Sequence, residues 1–280
     1  MSVADRSGRL REALLASGPV TLAVLLGVFP LIVLFVESIG PGVSAENYVR
    51  ATAPLYRQTL LYSLGMGAAV TVSCLVIAYP VTYWLAHRCP ARFRLPALVG
   101  LTLPLWLNYV VLNYAWIWIL ARGGIMNKAA IGAGLINEPL GLLFSDLSVF
   151  IGFVYIYLPY VVLTLYVSME RFDGRLMEAA RDLGATNRRV VVDVVLPRTF
   201  PGAVAGAVIV YARIAGAYAT PEILGGPGEV MIATLVVEAF QEFFDFGLGA
   251  AISVVFLCIV VIGFALATRV PRVGRELKRW

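Results

Sequence analysis

Six stretches of this sequence are long, apolar and almost free of charge: Val20–Ile39, Leu60–Ala86, Pro96–Leu120, Leu147–Met169, Ala203–Leu224 and Leu248–Thr268. A helix rises about 1.5 Å per residue, so crossing about 30 Å of hydrocarbon takes about 20 apolar residues. Each stretch reaches that length. Lipid offers no hydrogen-bond partner to the backbone, so such segments must satisfy themselves as helices. No period-two alternation marks the strands of a membrane barrel. Composition agrees: 60% of residues are hydrophobic and 14% charged, where soluble domains carry about 25% charged residues. The expected fold class is an all-α polytopic membrane protein with six transmembrane helices.

Basic residues set the expected direction. Of the 22 Lys and Arg residues, 17 fall in the N-terminal segment, the loops after the second and fourth stretches, and the C-terminal tail. The opposite side holds only Arg50, Arg57, Arg122 and Lys128. Positive charge stays in the cytoplasm, which places both termini there. The expected layout is a cytoplasmic segment 1–19, a first helix 20–39, a core of five helices 60–268 with a cytoplasmic loop 170–202, and a cytoplasmic tail 269–280. Charge spread over every inner loop excludes a nucleic-acid surface. The outer side carries nine acids, among them Glu138, Glu222, Glu229 and Asp245. They serve either as a solvated rim or as an attractive face for a soluble partner or cationic solute. The run after Arg6, Arg9 and Arg11 is too long for a signal-peptide core and lacks a small-residue cleavage site, so it is expected to be retained.

Several chemistries are excluded. Cys74, Cys89 and Cys258 form no CxxC pair and are expected to pack as small apolar residues. The lone histidine, His87, stands at the inner end of the second stretch, with no partners for a catalytic triad or a metal site. No GxxxxGK[ST] occurs, and Gly225-Gly226-Pro227-Gly228 reads as an outer turn. No cofactor and no metal is expected on this chain. Energy must come from elsewhere.

Residues Glu170 to Gly202 form the longest inner loop. It reads as a helical hairpin. Asp173 is a candidate N-cap and Gly184 a left-handed C-cap; Thr186 or Asn187 starts a second helix that Pro197 is expected to end. Ala179, Ala180 and Gly184 keep the first helix slim enough for a protein surface to approach its backbone, with Arg181, Arg188 and Arg189 around it.

The pattern Glu178-Ala179-Ala180, three residues, Gly184, nine residues, then Val194-Val195-Leu196-Pro197 resembles the EAA motif of membrane subunits of binding-protein-dependent ABC importers. The segments Leu103–Leu120, Gly152–Asp173, Leu176–Thr186 and Ala219–Gly226 are similar to the spermidine/putrescine permease group, and the resemblance covers nearly the whole chain. It implies a type I importer permease in the bacterial inner membrane. It also implies two partner ATP-binding subunits that use ATP and Mg, a second permease subunit (a paralogue rather than an identical copy), and a periplasmic solute-binding protein. Glu178, Ala179, Ala180, Arg181, Leu183 and Gly184 would then form the coupling contact. The solute would be a polyamine or related amino compound, the alternative being an opine, phosphonate or other anionic amino compound.

One departure stands out. Where the group often has Arg before a Tyr-Ala-Trp segment, this chain has Leu112-Asn113, and Arg213 sits midway along the fifth stretch. Arg at mid-bilayer costs about 2.5–3.5 kcal/mol on insertion scales, so it should face the bundle interior. It either pairs with carbonyls or a buried acid, or meets a solute; in the second case it would repel a bare polyamine. Tyr109, Asn113, Tyr114, Trp116, Tyr218 and Glu222 are further pathway candidates, by cation–π attraction or polar contact; the aromatics serve equally as an interface belt. An ion-coupled transporter or channel is the alternative function, but the second, third, fourth and sixth stretches hold no Asp or Glu in their apolar cores. A membrane enzyme or scaffold is the remaining class.

Overall fold

A computed structural model describes residues 3–40 and 45–269. Every regular element among them is helical. In order these are α1 (Val3–Ile39), α2 (Glu46–Ala51), α3 (Pro54–His87), α4 (Ala91–Thr102), a 3-10 turn (Leu103–Trp106), α5 (Tyr109–Leu120) and α6 (Ile125–Gly132). Then follow α7 (Asp146–Glu170), α8 (Arg175–Asp182), α9 (Asn187–Arg189), a π-helical stretch (Val190–Val195), α10 (Leu196–Ala215), α11 (Ala219–Leu224), α12 (Ile232–Gln241) and α13 (Phe246–Arg269). Five segments are long and apolar enough to cross a membrane: Pro54–His87, Tyr109–Gly132, Asp146–Glu170, Asn187–Ala215 and Phe246–Ala265. Val24–Ile39 is a shorter apolar helix within α1. The tail from Val270 on lies outside the described residues.

The breaks fall where only some of the prolines and glycines stand. α3 runs through Pro80 and α7 through Pro159, while Gly206 lies inside α10. The third expected span, Pro96–Leu120, is not one helix: α4 stops at Thr102, a 3-10 turn carries Pro104, and Leu107 is extended before α5 restarts. Pro104 has no N–H for the carbonyl four residues back, and the Asn108 side chain accepts the Val110 N–H at 2.9 Å as a new N-cap. The fifth expected span, Ala203–Leu224, likewise ends early, at Ala215, and α11 follows after Gly216. The hairpin helix also differs from expectation. Pro197 does not end it: the helix continues from Asn187 to Ala215 through the π stretch. A proline clashes with the carbonyl four residues behind it, here Asp193; the wider π turn just before Pro197 changes that pairing and lets the chain pass.

The chain forms two compact units. Among the described residues the larger comprises Leu55–Leu235 with Val260 to Arg269. Its core is built on α7, whose Val149, Phe153, Val161, Val162 and Leu165 are fully buried. Against them pack Val70 and Cys74 of α3, Val210 and Ile214 of α10, and Leu224 of α11. Two glycines explain how closely α10 lies on α7. A β-carbon on Gly202 would stand 2.6 Å from the Thr164 carbonyl oxygen, and one on Gly206 2.5 Å from Thr164 Oγ1. Small residues four apart let two backbones approach.

The smaller unit comprises the described residues up to Pro54 with Val236–Ile259. Here the Asn47 side chain donates to the Ser38 carbonyl at 3.1 Å, and the Ser38 and Tyr48 hydroxyls share a hydrogen bond of 2.7 Å. Arg50 Nη2 donates to Asp245 Oδ2 at 2.5 Å, which ties α2 to the turn before α13. Gly247 is tight against the Asn47 amide, where a β-carbon would stand 2.6 Å away.

Candidate functional site

The hairpin begins where α7 leaves off. The N-cap position of α8 is Gly174 rather than Asp173 and has no side-chain cap; Asp173 Oδ1, one residue further back, accepts the Arg175 N–H at 3.0 Å. At the other end Gly184 has φ +82, the left-handed conformation that favours glycine. Its N–H donates to the Arg181 carbonyl at 2.8 Å, and the Ala185 N–H to the Ala180 carbonyl at 3.0 Å. That pair of bonds is a Schellman motif, and it satisfies carbonyls that a helix end leaves open. Thr186 then caps α9, its side chain accepting from the Arg189 N–H at 3.5 Å.

Burial divides α8 into two faces. Met177 is buried against Met169, Val190 and Val195, with Ala180 and Ala185 partly buried alongside. Glu178, Ala179, Arg181 and Gly184 are exposed, and Leu183 is 89% exposed. One side of the hairpin is thus fixed to the bundle. The other presents the small residues Ala179 and Gly184, charged residues including Glu178 and Arg181, and a bare leucine.

The second feature is a cavity of about 450 Å³ at the two helix breaks. Pro104, Leu107 and Asn108 line it from the break before α5, and Gly216, Ala217 and Tyr218 from the break after α10. Tyr157 and Tyr160 face it from α7, and Arg213 from the last turn of α10. The Arg213 guanidinium carbon stands 4.9 Å from the centroid of the Tyr160 ring, within cation–π range.

The cavity brings together three of the residues expected from sequence, Arg213, Tyr109 and Tyr218. Asn113 lies behind its wall: it is fully buried, and its Nδ2 donates to the Tyr109 carbonyl at 2.9 Å and to Thr220 Oγ1 at 3.1 Å. Trp116 packs edge-on against Tyr155, ring centroids 5.4 Å apart. Tyr114 and Glu222 are exposed and take no part in the lining. Sequence reasoning missed Asn108, Tyr157, Tyr160 and Thr220. The GFVYIYLPY run carries part of the family resemblance, but only helix phase shows which of its tyrosines face Arg213.

Among the described residues no group of acids, His and Cys is placed to hold a metal ion. Cys74 and Cys89 are buried and Cys258 exposed, all three free.

The family model for the inner membrane component of binding-protein-dependent transport systems matches residues 66–272. The chain belongs to that family. The permease is 34% identical over 227 residues to the spermidine/putrescine transport system permease protein PotB of Salmonella typhimurium (strain SL1344), covering 81% of this chain and 79% of the relative. The protein of the same name from Escherichia coli (strain K12) is 35% identical over 221 residues, 79% of each chain. A chain of the bacterial alginate ABC transporter, solved in complex with alginate pentasaccharide-bound periplasmic protein, aligns with a TM-score of 0.76 at 15% identity, over 95% of the permease and 96% of that chain. At that identity the likeness concerns the fold. The permease is therefore an inner-membrane subunit of a binding-protein-dependent ABC importer, and its relatives are permease proteins.

Proposed function

We propose that the permease lines the translocation pathway for a small polar amino compound and takes its energy from separate ATP-hydrolysing subunits through the hairpin α8–α9. The exposed face of α8 carries this reading. A leucine left almost wholly bare beside Ala179 and Gly184 is a surface for another protein to cover, since a membrane-embedded chain gains nothing by exposing it to cytoplasmic water. The opposite face is anchored in the bundle, so a push on the hairpin reaches α7 directly and α10 through the π stretch that runs into it. A pair of ATP-binding subunits, which use ATP and Mg, a paralogous second permease and a periplasmic solute-binding protein complete the assembly. This chain binds no cofactor and catalyses no reaction. Six helices cross the inner membrane, α1 being the first, with both termini in the cytoplasm.

The spermidine/putrescine names of the relatives support a solute with an amine, and four tyrosines at the cavity supply faces for an ammonium group. The test is uptake by the reconstituted importer with its binding protein. Leu183→Glu and Ala179→Trp are expected to lower ATP-driven uptake about tenfold or more while the permease still assembles in the membrane. Unchanged uptake in both variants removes the coupling role from α8.

A further inference from the structure

We propose that the cavity between the two helix breaks binds the carboxylate end of a small solute, with Arg213 as the anion-recognising residue. The proposal rests on the importer reading above and names the chemistry of its solute. Three observations meet at this place. The cavity lining contains one cation, Arg213, and no Asp or Glu. Among the described residues no carboxylate stands within ion-pair distance of Arg213, so none of them neutralises its charge. An aromatic partner, Tyr160, lies under the guanidinium, its ring centroid 4.9 Å from the guanidinium carbon. Stacking on a ring orients the guanidinium while leaving its N–H fork free to point elsewhere, and that fork matches a carboxylate in two parallel hydrogen bonds.

The rest of the lining fits the same ligand. Asn108, Tyr109, Tyr157, Tyr218 and Thr220 place neutral donors around the charge. Neutral donors strengthen anion binding without a second charge. A bare diamine finds the opposite situation: aromatic faces to greet an ammonium, but a fixed positive charge and no acid to answer it. The compound that suits both features carries a carboxylate at one end and an amine at the other. The cavity volume of about 450 Å³ holds such a molecule, within the range of small-ligand sites.

The experiment is saturation-transfer NMR on the assembled importer in lipid nanodiscs, with no ATP and no binding protein. The probes share a similar chain length and differ in end groups: putrescine, 4-aminobutyrate and glutarate. The two carboxylates are expected to bind, 4-aminobutyrate ahead of putrescine, and Arg213→Met to weaken both by about tenfold. The same substitution is expected to strengthen putrescine. Arg213→Gln replaces it where Arg213→Met does not assemble. Carboxylates that give no transfer, or that bind the Arg213 variant as tightly as the wild type, overturn the proposal; so does putrescine binding that is tightest and depends on Arg213. The first outcome is also what an acid from the second permease subunit, neutralising Arg213, would produce. Because the readout uses neither nucleotide nor hairpin, it stands whatever the Leu183→Glu uptake experiment gives, and the two readings fail separately.

Discussion

Asn113 has no surface of its own, yet it joins two lining residues of the cavity through one amide group. Asn113→Leu keeps the volume and removes the donor, leaving Thr220 Oγ1 without this partner in a buried place. A loss of about 1–3 kcal/mol is expected, read as a lower unfolding temperature of the purified assembly, with Thr220→Val milder because the amide retains its bond to Tyr109. Asp245 makes a different kind of prediction. Burial alone raises its carboxyl pKa, but the Arg50 hydrogen bond, the Leu248 N–H and the Arg50 charge outweigh it and hold the group below its ordinary value. A carboxylate depressed in the folded state adds stability that is present above the unfolded value, about 3.9, and is lost as pH falls through the folded value. The side chains of Arg50 and Asp245 are 45% and 29% exposed, so screening holds the contribution to about 1 kcal/mol or less. Thermal scans are expected to show an acid-dependent loss below about pH 4 that is smaller in Asp245→Asn, while the variant melts slightly lower than the wild type at neutral pH.

At the scale of elements, the hairpin and the α7–α10 crossing depend on glycine for opposite reasons. Gly184 has open space around it but a left-handed backbone. Gly184→Trp therefore strains the Schellman turn by about 1–2 kcal/mol and sets a large ring on the exposed face. The expected result is an importer that assembles but hydrolyses ATP without uptake, measured as the ratio of the two rates. Gly206 has an ordinary helical backbone and no space. Gly206→Leu is expected to separate α10 from α7 and abolish the monodisperse complex in size-exclusion profiles, while Gly100→Ala, where nothing lies within 4 Å, leaves the profile unchanged. The hairpin's C-cap Gly184 and the N-cap Thr186 were legible in sequence because a cap is a local matter, acting on N–H and C=O groups within a few residues; Asp173 falls one residue before the N-cap Gly174 and holds the Arg175 N–H from there. The fate of Pro197 was not legible. A proline ends a helix or passes through it according to whether the preceding turn can widen, and nothing in the run Val190–Val195 announces that it does so.

For the whole molecule, the six-span layout with cytoplasmic termini can be checked by labelling. In a background with Cys74, Cys89 and Cys258 replaced by Ser, Lys128→Cys is expected to react with a membrane-impermeant maleimide added to intact spheroplasts. Arg181→Cys should react only after the membrane is opened. The reverse pattern inverts the chain. Membrane character was plain in the sequence, because hydrophobic length is all that a bilayer asks of a span. The interruptions at Leu103–Asn108 and Gly216–Tyr218 were not, since Pro80 and Pro159 are the same residue type and lie inside unbroken helices.

By itself the sequence determined what depends on local chemistry and on solvent: which segments are apolar enough for lipid, which way basic loops should face, how the hairpin is capped, and the motif that marks the family. Tertiary structure decided what depends on helix phase and on two breaks meeting in space. It placed Arg213 over Tyr160 beside Tyr109 and Tyr218, set Asn113 behind the wall, and kept Tyr114, Trp116 and Glu222 out of the lining. A residue's neighbours along the chain fix its turn of helix. Only packing fixes which neighbour from another helix its side chain meets.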